Sequence, residues 1–233
     1  MMYPREHRLE YLKSATGIED FSDMDVLDWG GNRGNLLRDG INIKSYTCVD
    51  IDAQGIEFGK HDFPEHTWIH YNKFHPVYNL QGSDLLTDVS DNSFDLIFAY
   101  SVFTHDTLSE MLNDLDMLKD KLRDQGVLCA SFIDPVIAKL FVLKRESEYR
   151  NTIDRDTFDN LSDYVYFVDN LTVTKEYDRT QKCKHFLSFY NTEWLLEILN
   201  NVLGECEIYS PDLSSIGDFD TTPFQPSFIW RKS

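Results

Sequence analysis

The sequence has little positive charge. Its 233 residues include 22 Lys and Arg against 40 Asp and Glu, which gives a formal net charge of −18 at pH 7. Proteins bind phosphate backbones mainly through Lys and Arg side chains that displace counterions, and this sequence contains no basic run. Nucleic acid is therefore disfavoured as a partner. The excess of acidic residues is more typical of a solubilising surface.

Long apolar runs are also absent. No stretch approaches the roughly 18 consecutive apolar residues that a membrane span requires. The first residues, MMYPREHRLEYLK, are charged and lack the apolar segment of a secretory signal. We therefore expect a cytoplasmic location and no membrane partner.

Cysteine is scarce, with Cys48, Cys129, Cys183 and Cys206 as the four positions and no CxxC pair among them. This spacing indicates reduced side chains, and it excludes both a disulfide framework and a zinc site of the usual pattern. His66 and His70 fall on a predicted strand, where their spacing does not favour metal binding. We predict no metal site.

Apolar and aromatic residues make up 42% and 14% of the chain, enough for the core of a folded domain. Strand-like apolar runs alternate with helical patterns, which predicts a mostly parallel sheet with helices on both faces. The predicted strands are 24–31, 45–52, 66–72, 94–103 and 126–134. The predicted helices between and before them are 8–14, 35–38, 53–60 and 108–122.

This alternation stops after Asp134. Residues 135–183 are rich in Tyr, Phe, Asp and Lys, and we interpret them as a cap inserted over an acceptor pocket. The cap is predicted to contain a helix near 135–145 and strands at 164–170 and 171–177. We expect residues 1–233 to form one domain that includes this cap.

The alternating pattern resumes with a helix at 192–201 and strands at 206–210 and 227–232. The last two strands are expected to form an antiparallel edge. Together these elements predict a Rossmann-like three-layer α/β sandwich with a seven-stranded sheet.

Two features near the start of the chain point to a ligand. The segment Asp28-Trp29-Gly30-Gly31-Asn32-Arg33-Gly34 follows the first strand, and its glycines allow a sharp turn and a close backbone approach to a ligand. Asp50 ends the second strand about 20 residues later, where an acid accepts hydrogen bonds from ribose hydroxyls. The alternatives are a plain strand–helix connection and a helix-capping acid, a role that Asp52 also suits.

The charge in front of the glycines distinguishes between ligands. A dinucleotide site has the pattern G-x-G-x-x-G and binds a pyrophosphate. Here Asp28 precedes a different glycine spacing, and its carboxylate would repel pyrophosphate but suit a sulfonium or ammonium group. S-adenosylmethionine therefore fits better than a nicotinamide cofactor.

Four segments carry a resemblance to a known family. VLDWGGNRG, CVDID, NSFDLIFAYSVFTH and LRDQGVLCASF resemble, in order, sequence motifs of class I S-adenosylmethionine-dependent methyltransferases. The resemblance covers about residues 20–134 well and 185–232 only by layout. Asn32 replaces the middle glycine of the first motif, with Gly31 expected to supply its flexibility. Asp124 and Gln125 replace the usual Pro and first Gly of the last motif.

The resemblance implies a seven-stranded, mostly parallel sheet with an antiparallel C-terminal edge strand, and it assigns the cofactor to residues at the strand ends. Asp28 and the backbone of Gly30, Gly31, Asn32 and Gly34 would face its methionine part. Asp50 would bind the ribose and Ile51 would pack on adenine. Asn72 would contact the adenine amine, with Asp84 as the rival. Tyr100 and Ser101 would line the cofactor near its methyl group.

The implied activity is methyl transfer by in-line displacement to a small-molecule acceptor, at oxygen, nitrogen or carbon. His105 follows the fourth strand, and it is either a base or acceptor contact or a cap of the next helix. The alternatives are a protein that keeps the fold without turnover and an NAD(P)-dependent protein on a similar fold. The sequence does not indicate the oligomeric state.

Overall fold

The computed structural model describes residues 7–75, 79, 82, 89–135, 164–168, 172–174, 186–211 and 225–233. The helices are α1 (His7–Thr16), α2 (Asn35–Arg38), α3 (Ala53–Asp62), α4 (Leu108–Lys121) and α5 (Thr192–Val202). The strands are β1 (Asp25–Trp29), β2 (Ser45–Asp50), β3 (Thr67–His70), β4 (Phe94–Ala99), β5 (Leu122–Ser131), β6 (Tyr164–Val168), β7 (Thr172–Thr174), β8 (Phe186–Tyr190), β9 (Cys206–Tyr209) and β10 (Ser227–Arg231). None of the helices within these ranges is long and apolar enough to cross a membrane.

Seven strands form one mixed sheet in the order β3-β2-β1-β4-β5-β10-β9. Strands β1 to β5 pair in parallel, whereas β10 is antiparallel to both of its neighbours. The predicted mixed sheet with an antiparallel C-terminal strand is thereby confirmed. That strand lies one position in from the edge, which β9 forms. The strand order reverses between β1 and β4, and such switch points are where open α/β sheets bind ligands.

Two apolar layers cover the two faces of this sheet. Successive residues of a strand point to opposite faces, so Val26 packs in a cluster with α1, α2 and α3. Its neighbour Leu27 packs in a second cluster with α4 and α5. Burial on both faces explains why the parallel strands are almost continuously hydrophobic, and it confirms the predicted three-layer arrangement.

Side-chain caps fix two helix starts beside the sheet edge. Asp52 accepts a hydrogen bond from the Gln54 N–H at the start of α3, as expected. Thr107 and Glu110 form a reciprocal capping box at the start of α4. Helix α3 therefore begins directly after the carboxyl end of β2, whereas the longer segment 100–107 separates β4 from α4.

A second, antiparallel sheet has the order β7-β6-β8. Strands β6 and β7 confirm the two strands predicted inside 135–183, over the residues that the structure describes there. Strand β8 was not predicted, because Phe186, Phe189 and Tyr190 are all buried and the strand has no clean alternation of apolar and polar residues. The helix predicted near 135–145 lies outside the described residues, apart from Pro135.

Candidate functional site

A cavity of about 270 Å³ opens at the carboxyl ends of β1, β2 and β4. The described residues that line it are Trp29, Gly30, Asn32, Val49, Asp50, Ile51, Asp52, Tyr71, Lys73, His75, Ser101, Val102, His105, Asp106 and Asp114. Six residues predicted to form the site are among them, namely Gly30, Asn32, Asp50, Ile51, Ser101 and His105. The structure thus brings the ends of the predicted strands together at the switch point of the sheet.

The glycine loop reaches the cavity through a left-handed backbone. Gly30 and Gly34 have φ of 76° and 74°, and Asn32 between them has φ of 52°. Asn adopts this conformation more readily than most other non-glycine residues. Asn32 therefore takes the left-handed backbone conformation expected of the glycine that it replaces. The expectation that Gly31 takes over this role is wrong. A Cβ on Gly31 would lie 2.5 Å from Asp28 Oδ2, so this position needs Gly for space.

Asp50 ties this loop to the end of β2. Its Oδ2 accepts the Asn32 N–H and its Oδ1 accepts the Asp52 N–H, each at 2.7 Å. Burial raises the pKa of Asp50, and the backbone N–H donors oppose that shift. An ionised carboxylate has about four acceptor sites, so Asp50 keeps capacity for further donors on the cavity wall.

Asp28 does not line the cavity. Its side chain points to the other face of the sheet, where the Tyr46 hydroxyl donates to its Oδ2 at 2.5 Å. Burial raises the pKa of Asp28 to about 7, with the Tyr46 hydrogen bond acting in the opposite direction. The prediction that Asp28 faces a cationic cofactor group is therefore corrected: Trp29, the next residue on β1, occupies the cavity wall.

After β4, as at the end of β1, one residue lines the cavity and its neighbour packs elsewhere. Ser101 lines the cavity, with its backbone at φ of 61°. Tyr100 instead packs against Tyr11, with ring centroids 5.2 Å apart, and lies under the Arg8 guanidinium. The prediction that Tyr100 lines the cofactor site is corrected, because its ring packs with the apolar cluster on the α1 side of the sheet.

Three further predicted residues lie off the cavity wall or outside the described chain. Gly34 is the N-cap residue of α2 and packs on Trp68, since a Cβ there would lie 2.6 Å from the indole ring. Asn72 is half-buried, and its Oδ1 accepts a hydrogen bond from Asn79 at 3.0 Å. Its rival for adenine, Asp84, lies outside the described residues.

His105 lies in the segment between β4 and α4, which hydrogen bonds hold to β8 and His75. Its Nδ1 donates to the Phe186 carbonyl at 2.9 Å, and its own carbonyl accepts from His75 Nε2 at 2.9 Å. The Ser188 N–H donates to the Thr104 carbonyl at 2.8 Å. His105 is not the cap of α4, because Thr107 fills that role.

The electrostatics of the two histidines follow from their burial. Burial lowers the pKa of His75 to about 4 and also lowers the pKa of His105. Both rings are therefore neutral at pH 7. With Nδ1 protonated by its bond to a carbonyl, a neutral His105 carries its lone pair on Nε2.

A buried ionic group on the same wall was not predicted. Lys73 Nζ lies 2.8 Å from Asp114 Oδ2 and 3.7 Å from Asp106 Oδ1. Burial alone would lower the pKa of Lys73, but the two carboxylates outweigh it and raise that pKa. Asp106, Glu110 and Asp114 recur every fourth residue beside the apolar stripe of α4, and this was the signal for a buried acidic row. Lys73, in a polar loop, gave no such signal.

Aromatic rings complete the wall. The rings of Trp29 and Tyr71 lie 5.4 Å apart between centroids, and the Trp29 indole N–H hydrogen-bonds to Asp114. Neither ring was predicted to belong to the site. Across the part of the chain that the structure describes, no group of three or more His, Cys, Asp and Glu side chains is arranged to hold a metal ion.

No protein-family model matches the chain, and no curated protein sequence is significantly similar to it. Solved structures are similar over nearly the whole length. An S-adenosylmethionine-dependent methyltransferase from Mesorhizobium loti has 12% identity and a TM-score of 0.54, covering 96% of this chain and 97% of that one. One from Methanosarcina mazei has 13% identity and a TM-score of 0.51, covering 91% and 93%.

A third similar structure is the plantazolicin methyltransferase BamL, in complex with a triazolic desmethylPZN analog and SAH. It has 14% identity and a TM-score of 0.54, covering 96% of this chain and 81% of that one. At such low identities, structural similarity defines the fold. The chain has the Rossmann-like fold of class I S-adenosylmethionine-dependent methyltransferases.

Proposed function

We propose that this protein is an S-adenosylmethionine-dependent methyltransferase that acts on a small-molecule acceptor. The observation that carries the proposal is the placement of Asp50. Its carboxylate ends β2 at the switch point of the sheet, holds the glycine loop through the Asn32 N–H, and lines the cavity. This is the geometry needed to accept hydrogen bonds from two neighbouring ribose hydroxyls.

The charge of the cavity supports a cationic ligand. Four acidic residues line it, namely Asp50, Asp52, Asp106 and Asp114, against the single described cation Lys73. S-adenosylmethionine carries a sulfonium and an ammonium group, whereas the pyrophosphate of a dinucleotide would meet net repulsion here. The electrostatic preference first assigned to Asp28 is thus supplied by other carboxylates.

The apolar part of the wall suits a flat heterocycle. Val49 and Ile51, on either side of Asp50, line the cavity together with the rings of Trp29 and Tyr71. Aromatic and aliphatic side chains beside a few placed polar groups are typical of small-molecule sites. We assign the adenine ring to the Ile51 side, next to the ribose at Asp50.

The bound cofactor would supply a methyl group already activated on sulfur. The residues of this chain would orient the acceptor and exclude water, effects worth about 7–11 kcal/mol in well-aligned reactions. His105 is the candidate base for acceptors that lose a proton, because its ring is neutral and lies on the cavity wall. Such a base contributes roughly 10²–10⁴-fold.

A small acceptor agrees with the charge of the molecule. The net charge of −18 opposes polyanionic acceptors. The structurally similar BamL is itself described in complex with a triazolic analog. Strands β6 and β7 would form part of the cap, because β8, which pairs with β6, binds the Thr104–Asp106 segment beside the cavity.

The proposal is tested by isothermal titration with S-adenosylmethionine and S-adenosylhomocysteine. Asp50→Asn should weaken cofactor binding at least about tenfold, because one carboxylate oxygen is lost at the ribose. Asp95→Asn is a matched control: Asp95 also accepts two hydrogen bonds, from the Asp25 N–H and Arg123, but at the opposite end of the sheet. Absence of binding to the wild-type protein at millimolar cofactor would refute the proposal, and equal losses in both variants would remove Asp50 from the site.

Turnover is tested separately with labelled methyl groups and a metabolite pool. Production of S-adenosylhomocysteine that depends on the added pool would establish transfer to a small molecule. Binding without turnover on any pool would favour a protein that keeps the cofactor site without catalysis. Binding of NAD(P)H instead would favour the oxidoreductase alternative.

A further inference from the structure

Ser101 lines the cavity in a backbone conformation that needs support. Its φ of 61° lies in the left-handed region, which residues other than Gly, Asn and Asp rarely adopt. Such conformations persist where the surrounding structure holds them, and they concentrate at functional sites. The groups that hold Ser101 are therefore part of what shapes the cavity.

A closed ring of three hydrogen bonds surrounds this residue. The Ser101 N–H donates to Ser131 Oγ at 2.7 Å, and the Ser131 hydroxyl donates to Gln225 Oε1 at 2.6 Å. The Gln225 Nε2 then donates to Ser101 Oγ at 3.1 Å. Ser131 is fully buried and Gln225 is only 6% exposed, so water does not replace these bonds readily.

Gln225 is anchored independently of the ring. Its backbone carbonyl accepts from the Tyr11 hydroxyl at 2.7 Å, and the same hydroxyl hydrogen-bonds Ser227 Oγ at 2.5 Å. Gln225 thus joins α1 and the start of β10 to the end of β4. A side chain fixed at its own backbone in this way can impose a conformation on Ser101.

We propose that Gln225 is a positioning residue that holds Ser101 in the left-handed conformation and so sets the β4 wall of the cavity. Its effect on cofactor affinity rests on the proposed function. Its effect on the Ser101 backbone does not, because the hydrogen bonds are present without a ligand. Without the Gln225 amide, the Ser131 hydroxyl loses its acceptor and rotates, and the Ser101 N–H loses a fixed partner.

The test combines two measurements on the full chain. Hydrogen exchange of the Ser101 amide, followed by NMR without ligand, reports the backbone. Titration with S-adenosylhomocysteine reports the site. Gln225→Leu should accelerate exchange of the Ser101 amide about fivefold and weaken the affinity by a similar factor, as expected for the loss of one hydrogen bond. Ser131→Ala, a smaller change, should act in the same direction.

Two further variants separate positioning from a general loss of stability. Tyr46→Phe removes a buried hydrogen bond to Asp28 that lies outside the Ser101–Ser131–Gln225 ring, and it should lower the melting temperature without accelerating exchange at Ser101. Ser101→Gly should make Gln225→Leu nearly harmless, because Gly adopts a positive φ without help. The affinity losses of the two substitutions should therefore be non-additive.

Three outcomes would overturn the proposal: unchanged Ser101 exchange in Gln225→Leu, equal acceleration of that exchange in Tyr46→Phe, or additive effects of Gln225→Leu and Ser101→Gly. If the wild-type protein binds no S-adenosylhomocysteine, the proposed function fails. The exchange measurements then still decide the role of Gln225.

Discussion

Replacing Asp28 with asparagine should stabilise the protein at neutral pH, and the gain should grow as the pH rises. Asp28 is buried on β1, away from the cavity, and burial raises its pKa from 3.8 to about 7 against the opposing Tyr46 hydrogen bond. The amide of the variant would still offer Tyr46 an oxygen acceptor. The substitution therefore removes the titration of the side chain and leaves most of the packing in place.

The sign and size follow from proton linkage. Below pH 3.8 the carboxyl is protonated in both the folded and the unfolded state, so it has no effect on stability. Between pH 3.8 and about 7 the unfolded state has lost this proton while the folded state keeps it, so stability falls as the pH rises. The shift of about three pKa units corresponds to roughly 4 kcal/mol of lost stability above pH 7.

Urea unfolding of the wild type and Asp28→Asn over a pH series measures this effect. The difference between their free energies of unfolding should be about 3 kcal/mol larger at pH 7.5 than at pH 4.5. Taking the difference cancels the titration of the other groups, provided that the substitution does not disturb them.

Asp25, on the same strand, is the matched control. The Ser45 hydroxyl, with help from Lys44 and Arg123 and against burial, lowers the pKa of Asp25 to about 2. Its contribution is therefore stabilising above pH 3.8 and is lost as the pH falls through 2. Asp25→Asn should lower stability by a constant amount at neutral pH, with the difference from wild type shrinking below about pH 4.

A difference between wild type and Asp28→Asn that stays constant from pH 4.5 to 7.5 would refute the reasoning. It would mean that Asp28 is ionised in the folded protein at neutral pH, so that a cation or water reaches it. The interpretation of Asp28 as a partner of a cationic cofactor group would then regain its basis.

Two other predictions concern the cavity wall. His105→Gln should lower turnover by about 10²–10⁴-fold for acceptors that lose a proton. Wild-type activity should persist below pH 6.5, because burial lowers the pKa of His105. Steady-state kinetics over a pH series measure both effects, and unchanged turnover in the variant would mean that His105 has only a structural role. Lys73→Met should cost about 3–5 kcal/mol of stability in urea unfolding, because it leaves the buried Asp114 without its ammonium. Lys119→Met breaks an exposed pair and should cost little, and similar costs for the two would contradict the buried pair.

The sheet was predictable because its strands are buried on both faces. Continuous hydrophobic runs such as 94–99 stand out from the polar segments around them, and each is followed by a helical pattern. Strand β8 was missed because Phe186, Phe189 and Tyr190 are all buried and no alternation of apolar and polar residues marks the segment. It pairs with β6 and hydrogen-bonds to the Thr104–Asp106 segment, and no local sequence pattern predicts these long-range contacts.

The errors in the predicted site have a common form. Asp28 and Tyr100 were assigned to the cavity, whereas their next neighbours Trp29 and Ser101 line it. The sequence locates the end of a buried strand, but when both faces are apolar it does not show which face a given side chain takes. Asp50 does line the cavity, because the Asn32 and Asp52 N–H groups fix the orientation of its carboxylate at the strand end.

The glycine loop keeps its left-handed conformation although its sequence departs from the glycine pattern of class I methyltransferases. In the described residues, Asn32, Asn92, Ser101 and Gln125 are the four non-glycine residues with positive φ. Each donates its backbone N–H to a partner distant in sequence, respectively Asp50 Oδ2, the Asp120 carbonyl, Ser131 Oγ and the Lys232 carbonyl, at 2.7–2.9 Å. Tertiary hydrogen bonds thus stabilise a conformation that glycine would adopt unaided. The glycine motifs therefore do not match the sequence at Asn32 and Gln125, although both residues keep the positive φ that glycine adopts easily.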